Sequence, residues 1–349
     1  MSYSFQKFAG LLLGALLATT AFAAPVELNP GHPERYTVVR GDTLWDISAR
    51  FLRDPWHWPD IWQANMQIEN PHLIYPGDVI ALSFINGIPV LQVERSAASG
   101  DIKLSPKIRA EPLSQAIPTV PIDAIAQFLT RPYVLNEGEL DDAPYVVHFL
   151  GDRIIGGAGH QVYVRSIIDP PSWKYEVVRP GKAYKDPQTG EILGYEALFI
   201  GNADLQRTGD PAKLLLTKTG LETVIGDRLV PILKDEPLSN FQPTAPKELI
   251  DGQIISVLNG VSQIGQFNTV VINRGNNDGL VPGHVLRILQ GGKEIRDTVS
   301  PLRGERVKLP LEEAGVLMIF RTFDRVSFGL VMYATSPLHL HDTVRTPGY

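Results

Sequence analysis

The sequence predicts a multidomain, mostly β protein, in which a small α+β module (strand-helix-helix-strand) precedes two mostly antiparallel β-domains. Three observations support this class. Residues 34–84 change from β-rich spacing to helical spacing and back again. Two proline-rich segments divide the rest of the chain into separate parts. Within those parts, short runs of β-branched and aromatic residues alternate with glycine-rich turns.

The N-terminal module, predicted over residues 34–84, opens with a short strand over 36–39. A Gly-Asp-Thr turn follows. Asp42 or Thr43 is predicted to cap the next helix, because either side-chain oxygen accepts a free helical N–H group. The helix itself is indicated by apolar and small residues at helical spacing, which give one core-facing stripe. That stripe consists of Leu44, Ile47, Ser48 and Phe51.

A second helix and a returning strand complete the module. Pro59 suits the first turn of a helix that runs to about Asn65. Residues 76–78 form a Pro-Gly-Asp turn signal, and 79–82 is the strand that follows it. The order strand, helix, helix, strand, with these motifs in sequence, resembles a LysM module. The resemblance implies binding of N-acetylglucosamine polymers such as peptidoglycan.

The LysM resemblance also implies where the sugar lies, between the loop after the first strand and the loop before the last strand. Carried over by position, the glycan-binding residues are Gly41, Asp42, Thr43, Leu44, Leu73, Ile74, Tyr75 and Pro76. Gly41 allows close approach of the backbone, and Tyr75 offers a flat apolar face and a hydroxyl. Ile74 is interpreted as packing rather than contact, whereas Asp42 and Thr43 build the groove wall by capping the helix.

An aromatic cluster departs from the minimal LysM pattern. Trp58 and Trp62 are four residues apart, so they share a helical face. We interpret both as core residues, because a module of this size has little other area to bury. For Trp56 the sequence leaves two interpretations open, a core residue or a platform for a sugar ring.

Residues 1–23 have the form of a secretory signal peptide. Lys7 precedes an apolar run over 8–18, and an Ala-Phe-Ala cleavage site ends at Ala23. We therefore expect export to the periplasm, and no later run is long enough to predict a stable membrane span. The sequence contains no cysteine, which excludes disulfides and thiol chemistry within it.

Composition narrows the classes of partner. Hydrophobic residues make up 44% of the chain, enough for packed cores rather than a disordered spacer. The net charge of −6 argues against nucleic acid and anionic membrane surfaces, which attract basic proteins. Glycan binding remains compatible, because it relies on hydrogen bonds and aromatic contact.

Two proline-rich linkers are predicted, over 85–121 and over 236–247. They separate a middle β-domain at 122–235 from a C-terminal β-domain at 248–349. Both domains contain strand and turn motifs in a similar order, and each closes with an aspartate before its last strand. This pattern suggests an internal repeat, although two unrelated small β-barrels would give a similar pattern.

The last domain carries a second resemblance. Residues 271–286 and 314–327 are similar to the C-terminal domain of the flagellar T-ring protein family. A signal peptide, one LysM module and such a C-terminal domain occur together in the secretin-associated LysM proteins of type IV pilus machines, the TsaP family. This likeness implies that LysM holds peptidoglycan while the rest of the chain associates with an outer-membrane secretin ring.

One enzymatic alternative has sequence support. His339-x-His341 and His148-x-x-x-Asp152 match short motifs of zinc endopeptidases that cut peptidoglycan. Two histidines at i and i+2 of a strand share a face and could bind one metal. Against this, the expected glycine-rich surroundings are missing. The pair also falls where the repeat has Gly226-Asp227, so that a turn explains it.

Other catalytic signals are lacking in the sequence, which has no phosphate-binding loop, cysteine nucleophile or Gly-x-Ser-x-Gly elbow. The charged stretch 293–308 is interpreted as a hairpin arm or loop, either solvated or a docking surface. We predict a non-enzymatic periplasmic anchor without catalytic residues, metal or cofactor, which tethers a secretin ring to peptidoglycan. The alternatives are a LysM-targeted zinc peptidoglycan endopeptidase and a flagellar ring component.

Overall fold

The computed structural model of the chain describes residues 26–62, 74–94, 117–121, 134–151, 153–232, 241–258, 263–292, 294–299 and 304–348. These residues form an α+β module followed by two mostly antiparallel β-barrels, which confirms the predicted fold class. The predicted signal peptide at 1–23 lies outside the described residues. Within them, no helix is long and apolar enough to cross a membrane.

The N-terminal module has three strands and two short helices. They are β1 (Arg35–Thr37), α1 (Leu44–Phe51), α2 (Trp58–Trp62), β2 (Val79–Ile85) and β3 (Ile88–Glu94), with a 3₁₀ turn at Pro55–His57. The sheet order is β1-β2-β3, so the predicted pair of strands gains a third. An Asn86-Gly87 turn joins β2 to β3, and both residues have positive φ (53° and 81°), as a tight hairpin requires.

The strand β3 lies inside the segment predicted as a linker over 85–121. Residues 95–116 are outside the described part of the chain, and 117–121 pack against the module. The second predicted linker, 236–247, also carries structure in its last part. Thr244 pairs with residues 283–284 of the C-terminal domain, where its N–H donates to the Gly283 carbonyl (3.1 Å). Proline spacing therefore marks the domain boundaries without predicting free chain throughout.

The middle domain is a β-barrel, here called barrel 1. Its elements are β4 (Val134–Leu135), β5 (Tyr145–Phe149), β6 (Ile155–Gly156), β7 (Gln161–Arg165), β8 (Lys174–Lys185), β9 (Ile192–Arg207), β10 (Ala212–Thr219), β11 (Thr223–Val224) and β12 (Arg228–Pro231). Six of them close a ring in the order β5-β7-β10-β9-β8-β12 and back to β5. The strand β4 pairs with the edge of β9, and β6 pairs with β11 outside the ring.

The C-terminal domain is a second closed barrel, here called barrel 2. Its elements are β13 (Asp251–Val257), β14 (Thr269–Ile272), β15 (Val285–Gly291), β16 (Glu294–Arg296), β17 (Arg306–Lys308), β18 (Leu311–Thr322), β19 (Ser327–Ala334) and β20 (Thr343–Arg345). The ring order is β13-β14-β19-β18-β15-β20, and β16 and β17 form a separate two-stranded hairpin.

The two barrels have the same topology. When the ring strands of each are numbered 1 to 6 along the chain, both rings run 1-2-5-4-3-6, with every neighbouring pair antiparallel. A shared connection order is what an internal repeat would produce. The structure therefore supports the internal repeat that the sequence pattern suggested.

The repeat extends to hydrogen bonds at the turn before strand 6. In barrel 1, the Val146 N–H donates to the Asp227 carbonyl (2.9 Å), and the Gly226 N–H donates to the Val146 carbonyl (2.8 Å). The Asp227 carboxylate accepts from the Val224 N–H (2.8 Å) and from Arg179 on strand 3 (2.7 and 2.9 Å). Asp227 thus holds the last turn and the third strand together while almost fully buried.

Barrel 2 repeats this arrangement with different side chains. The Ile254 N–H donates to the Asp342 carbonyl (3.0 Å), and the His341 N–H donates to the Ile254 carbonyl (2.8 Å). The Asp342 carboxylate accepts from the His339 N–H (2.8 Å) and from Gln290 on strand 3 (2.7 Å). The neutral amide of Gln290 therefore takes the place in barrel 2 that the Arg179 guanidinium has in barrel 1.

Barrel 2 is apolar on both faces of its central strands. Val316, Met318 and Phe320 of β18 belong to an outer cluster, whereas Leu317 and Ile319 belong to the barrel interior. Residues 314–320 are consequently buried without interruption. The outer cluster is covered by parts of every other domain. The covering residues are Trp45, Trp56, Val120, Val134, Tyr184, Leu193 and Phe241.

Barrel 1 reaches barrel 2 through the ribbon that connects its strands 3 and 4, residues 180–196, here called ribbon 1. At its tip, Asp186 accepts a hydrogen bond from Asn273 (2.8 Å), and Glu191 forms an ion pair with Arg325 (2.8 Å). The hydrogen bond from the Thr189 N–H, aided by that from Asn273, holds the pKa of Asp186 below its ordinary value.

We predict that Asp227→Ala destabilises barrel 1 more than Asp342→Ala destabilises barrel 2. The first change leaves Arg179 without its carboxylate and should cost about 1.5–3 kcal/mol, as for hydrogen bonds to charged groups. The second removes hydrogen bonds of a half-buried carboxylate that has no cationic partner, and water partly replaces them, so it should cost about 1 kcal/mol. Calorimetric unfolding of the full chain measures both, with exposed Asp169→Ala as the control. Equal destabilisation by the two changes would contradict the prediction.

Candidate functional site

The first wall of the candidate groove is the turn before α1. Thr43, rather than Asp42, caps the helix: the Asp46 N–H donates to the Thr43 hydroxyl (3.1 Å), and the Thr43 N–H donates to the Asp46 carboxylate (3.2 Å). This reciprocal pair is a capping box, which satisfies two otherwise free N–H groups. Leu44, the first helical residue, is buried in the module core.

Asp42 shapes the loop instead of capping the helix. Its carboxylate accepts from the Val39 N–H (2.9 Å) and from the Tyr36 hydroxyl (3.0 Å). Burial, together with the hydrogen bond to Asp42, raises the pKa of Tyr36. Gly41 lies at the exposed tip with φ +100°, a conformation that side chains rarely adopt. Gly41 is therefore required by the turn itself, whatever it contacts.

The second wall is the loop before β2. The Tyr75 N–H donates to the Asp78 carboxylate (3.0 Å), which closes the Pro-Gly-Asp turn. The Val38 N–H donates to the Asp78 carbonyl (2.9 Å), and this bond ties the turn to the end of β1. Ile74 is fully buried, as interpreted from the sequence, whereas Tyr75 is half-buried and Pro76 is exposed. Leu73 lies outside the described residues.

Residues 117–119 lie between the two walls. The Ile117 N–H donates to the Ile74 carbonyl (2.9 Å), while the Leu44 N–H donates to the Pro118 carbonyl (3.0 Å) and the Trp45 N–H to the Thr119 carbonyl (3.1 Å). The first-turn N–H groups of a helix lack acceptors within the helix, and the carbonyls of this segment serve as those acceptors. The main-chain groups that line the groove are thus paired with the chain itself.

The side chains of this segment are also buried. Ile117 is 6% exposed and belongs to the module core, and Val120 is 0% exposed and belongs to the outer cluster of barrel 2. Residues 117–120 therefore join the module to barrel 2. The spaced prolines predicted a linker here, and Ile-Pro-Thr-Val carries no periodic pattern that would indicate a partner.

The tryptophans divide as the sequence indicated. Trp58 and Trp62 are buried in the module core, which confirms their interpretation. Trp56 lies between the module and barrel 2, with its ring 6.4 Å from that of Trp45 and the Arg287 guanidinium 5.8 Å above it. Trp56 is 3% exposed, so it forms part of a domain contact instead of an open sugar platform.

Two ion pairs flank this contact. Arg287 of barrel 2 lies 3.4 Å from Asp54 of the module and 3.3 Å from Glu313 of its own barrel. A cavity of about 480 Å³ separates α1 from the barrel wall nearby. Its lining includes both tryptophans, Asp46 and Met332. The module consequently packs against barrel 2 through a mixed apolar and charged surface.

The histidine pair does not have the geometry that a shared metal needs. His339 and His341 lie in the turn before β20, and not on a strand as the metal prediction assumed. His341 has φ +72°, so the two side chains do not alternate as on a strand. The position of His341 corresponds to Gly226 in barrel 1, which explains the turn. His148 is exposed on β5, and Asp152 lies outside the described residues. Among the residues that the structure describes, no group of three metal-ligating side chains is found.

Comparison with known proteins identifies the module. A family model described as "LysM domain" matches residues 36–83. A Bacillus subtilis (strain 168) protein described as "Uncharacterized protein YqbP" is 37% identical over 60 residues. That match covers 14% of this chain and 27% of the relative. The N-terminal module is therefore a LysM domain, a kind of binding domain that suggests peptidoglycan or carbohydrate binding.

Proposed function

We propose that the LysM groove binds the N-acetylglucosamine-containing glycan of peptidoglycan. The observation that carries this proposal is that the two loops bring main-chain groups to the same groove. Leu44 and Trp45 present N–H donors there, and Ile74 presents a carbonyl acceptor. Acetamido groups contain one donor and one acceptor and match such an edge. Tyr75 adds an accessible aromatic face beside it, which suits a sugar ring.

We predict that Tyr75→Ala weakens co-sedimentation of the full chain with purified sacculi by about tenfold, because an aromatic contact at a binding site is often worth over 1 kcal/mol. Phe84→Ala is the matched control, since Phe84 is 60% exposed in the same domain but lies at the far hairpin. Unchanged binding by a folded Tyr75→Ala variant would reject the groove assignment. A bulky change at Gly41 is a poorer test, because its φ strains any side chain.

Glycan binding in this groove requires residues 117–119 to leave it. The segment uses the same Leu44, Trp45 and Ile74 groups that the glycan would use. The apparent affinity of the chain is thus the intrinsic affinity of the open groove multiplied by the fraction of molecules in which the groove is open. We infer that the resting arrangement is a closed one, and that glycan shifts the population toward the open one.

We predict that Ile117→Asp strengthens binding to a soluble N-acetylglucosamine oligomer by about tenfold or more, because burying an isoleucine is worth about 1.5–3 kcal/mol to the closed arrangement. Ile88→Asp is the matched control, since Ile88 is 62% exposed on β3. Hydrogen exchange gives a second measurement: the oligomer should expose the Ile117 amide in the unaltered chain. Binding without loss of Ile117 protection would show that the groove does not need to open.

We further propose that the chain is a periplasmic, non-enzymatic anchor that ties an outer-membrane secretin ring of a type IV pilus machine to the wall. The signal-like residues 1–23, the LysM domain and the T-ring-like sequence of barrel 2 support this assignment. A zinc endopeptidase is the less favoured reading, because the geometry at His339 and His341 offers it no support.

We predict that affinity isolation from crosslinked envelopes recovers a secretin with the unaltered chain and equally with Tyr75→Ala. The point variant should lose sacculi and keep the ring, because the barrels are untouched. Deleting the whole module is unsuitable, since it would strip Trp45 and Trp56 from the outer cluster of barrel 2. Recovery of flagellar ring components instead, or of no ring, would overturn the secretin assignment.

A further inference from the structure

The repeated topology gives each barrel an equivalent ribbon between strands 3 and 4. In barrel 1 this is ribbon 1, the outer part of the β8–β9 hairpin. In barrel 2 it is the hairpin of β16 and β17 with the adjoining residues 309–311, here called ribbon 2. Strand alternation places the connections 1–2, 3–4 and 5–6 at one end of a barrel and the connections 2–3 and 4–5 at the other. Both ribbons therefore extend from the same end of their barrels.

Ribbon 1 shows how such a ribbon is used. Its apolar side chains Tyr184 and Leu193 are 4% and 7% exposed, because barrel 2 covers them. Its tip contacts Asn273 and Arg325, which lie in the 2–3 and 4–5 connections of barrel 2. The rule within the chain is that a 3–4 ribbon docks on the opposite end of the next barrel.

Ribbon 2 has an apolar face without a cover among the described residues. Ile295 and Val307 form a cross-strand pair and are 46% and 43% exposed. Leu309 and Leu311 continue beside them and are each 39% exposed. An exposed ion pair between Glu294 and Arg306 (3.7 Å) also joins the two strands of the hairpin.

Within the part of the chain that the structure describes, the matching end of barrel 1 is also uncovered. Its 2–3 connection, residues 166–173, exposes Ile168 (79%) and Trp173 (61%). A bridge between Ile167 and Gly209 holds this connection against the 4–5 connection. In barrel 2 the same two connections are joined by the Asn276 N–H, which donates to the Phe323 carbonyl (2.8 Å), and there they receive ribbon 1. The receiving end of barrel 1 therefore has the same construction and exposes large apolar side chains.

We propose that ribbon 2 of one molecule docks on the 2–3 and 4–5 connections of barrel 1 in a second copy of this chain. The contact repeats between molecules the contact that ribbon 1 makes within one molecule. Its two surfaces differ, so each copy offers one ribbon and one receiving end. Such a head-to-tail contact adds copies in one direction and gives a ring where the rotation closes. Exposed apolar patches of this kind mark protein interfaces.

Sedimentation velocity of the full chain tests the proposal. The unaltered chain should associate with rising concentration. Ile295→Asp in ribbon 2 and Trp173→Asp at the receiving end should each weaken association by about tenfold or more, as expected for a central apolar contact. Ile154→Asp is the control, because Ile154 is 82% exposed at the other end of barrel 1. It should associate like the unaltered chain.

Mixing the two defective variants separates this contact from others. The Ile295→Asp chain keeps its receiving end and the Trp173→Asp chain keeps its ribbon, so the mixture should form heterodimers and nothing larger. Because the sequence has no cysteine, Val307→Cys and Ile168→Cys chains, which both keep Ile295 and Trp173, should crosslink when mixed. A monomeric unaltered chain, association lost in the Ile154→Asp control, or a mixture without heterodimers would each overturn the proposal.

Discussion

The arrangement of the molecule depends on the outer surface of barrel 2. Most barrels bury one face of each strand and leave the other to water. Here β18 and β19 are apolar on both faces, so the outer face must be covered by protein. The hydrophobic effect scales with the area removed from water. The LysM domain, ribbon 1 and the segment around Phe241 all pack against this outer apolar surface. Arg287 and Arg325 add charge contacts at its edges, which orient the neighbours.

This shared apolar surface links the LysM domain to the rest of the molecule. Residues 117–120 contribute to the LysM core at one end and to the outer cluster of barrel 2 at the other. A ligand that replaces the segment in the groove would remove one of the contacts that hold the LysM domain against barrel 2. The contacts of Trp56 and of the Arg287–Asp54 ion pair would remain, so occupation of the groove is expected to loosen this domain and not to release it. The closed arrangement also protects the helix N–H groups, which would otherwise need water or ligand as partners.

The sequence predicted the parts of the structure that depend on local pattern. Helical spacing, the Pro-Gly-Asp turn and the candidate cap fixed the LysM core, although Thr43 and not Asp42 is the cap. The repeat was visible because an aspartate before strand 6 serves a local turn in both barrels. The cover on barrel 2 and the segment in the groove were not predictable, because each joins residues far apart in the chain without a periodic signature. The runs over 314–320 and 328–332 carried the missing signal, since uninterrupted apolar strands imply burial on both faces.

The strand order 1-2-5-4-3-6 also decides how each barrel bears a mechanical load. Strands 1 and 6 are antiparallel neighbours, so the chain enters and leaves a barrel side by side at the same end. A pull on the two chain ends peels this pair apart, breaking its hydrogen bonds one after another instead of all at once. In barrel 1 the peeling meets the Arg179–Asp227 pair at the far end of that seam. In barrel 2 the peeling meets the Arg345–Asp251 ion pair first, since it joins strands 6 and 1 where the chain enters and leaves, and it reaches the neutral Gln290 contact last. The two barrels thus place their charged contact at opposite ends of the seam that a pull along the chain would open.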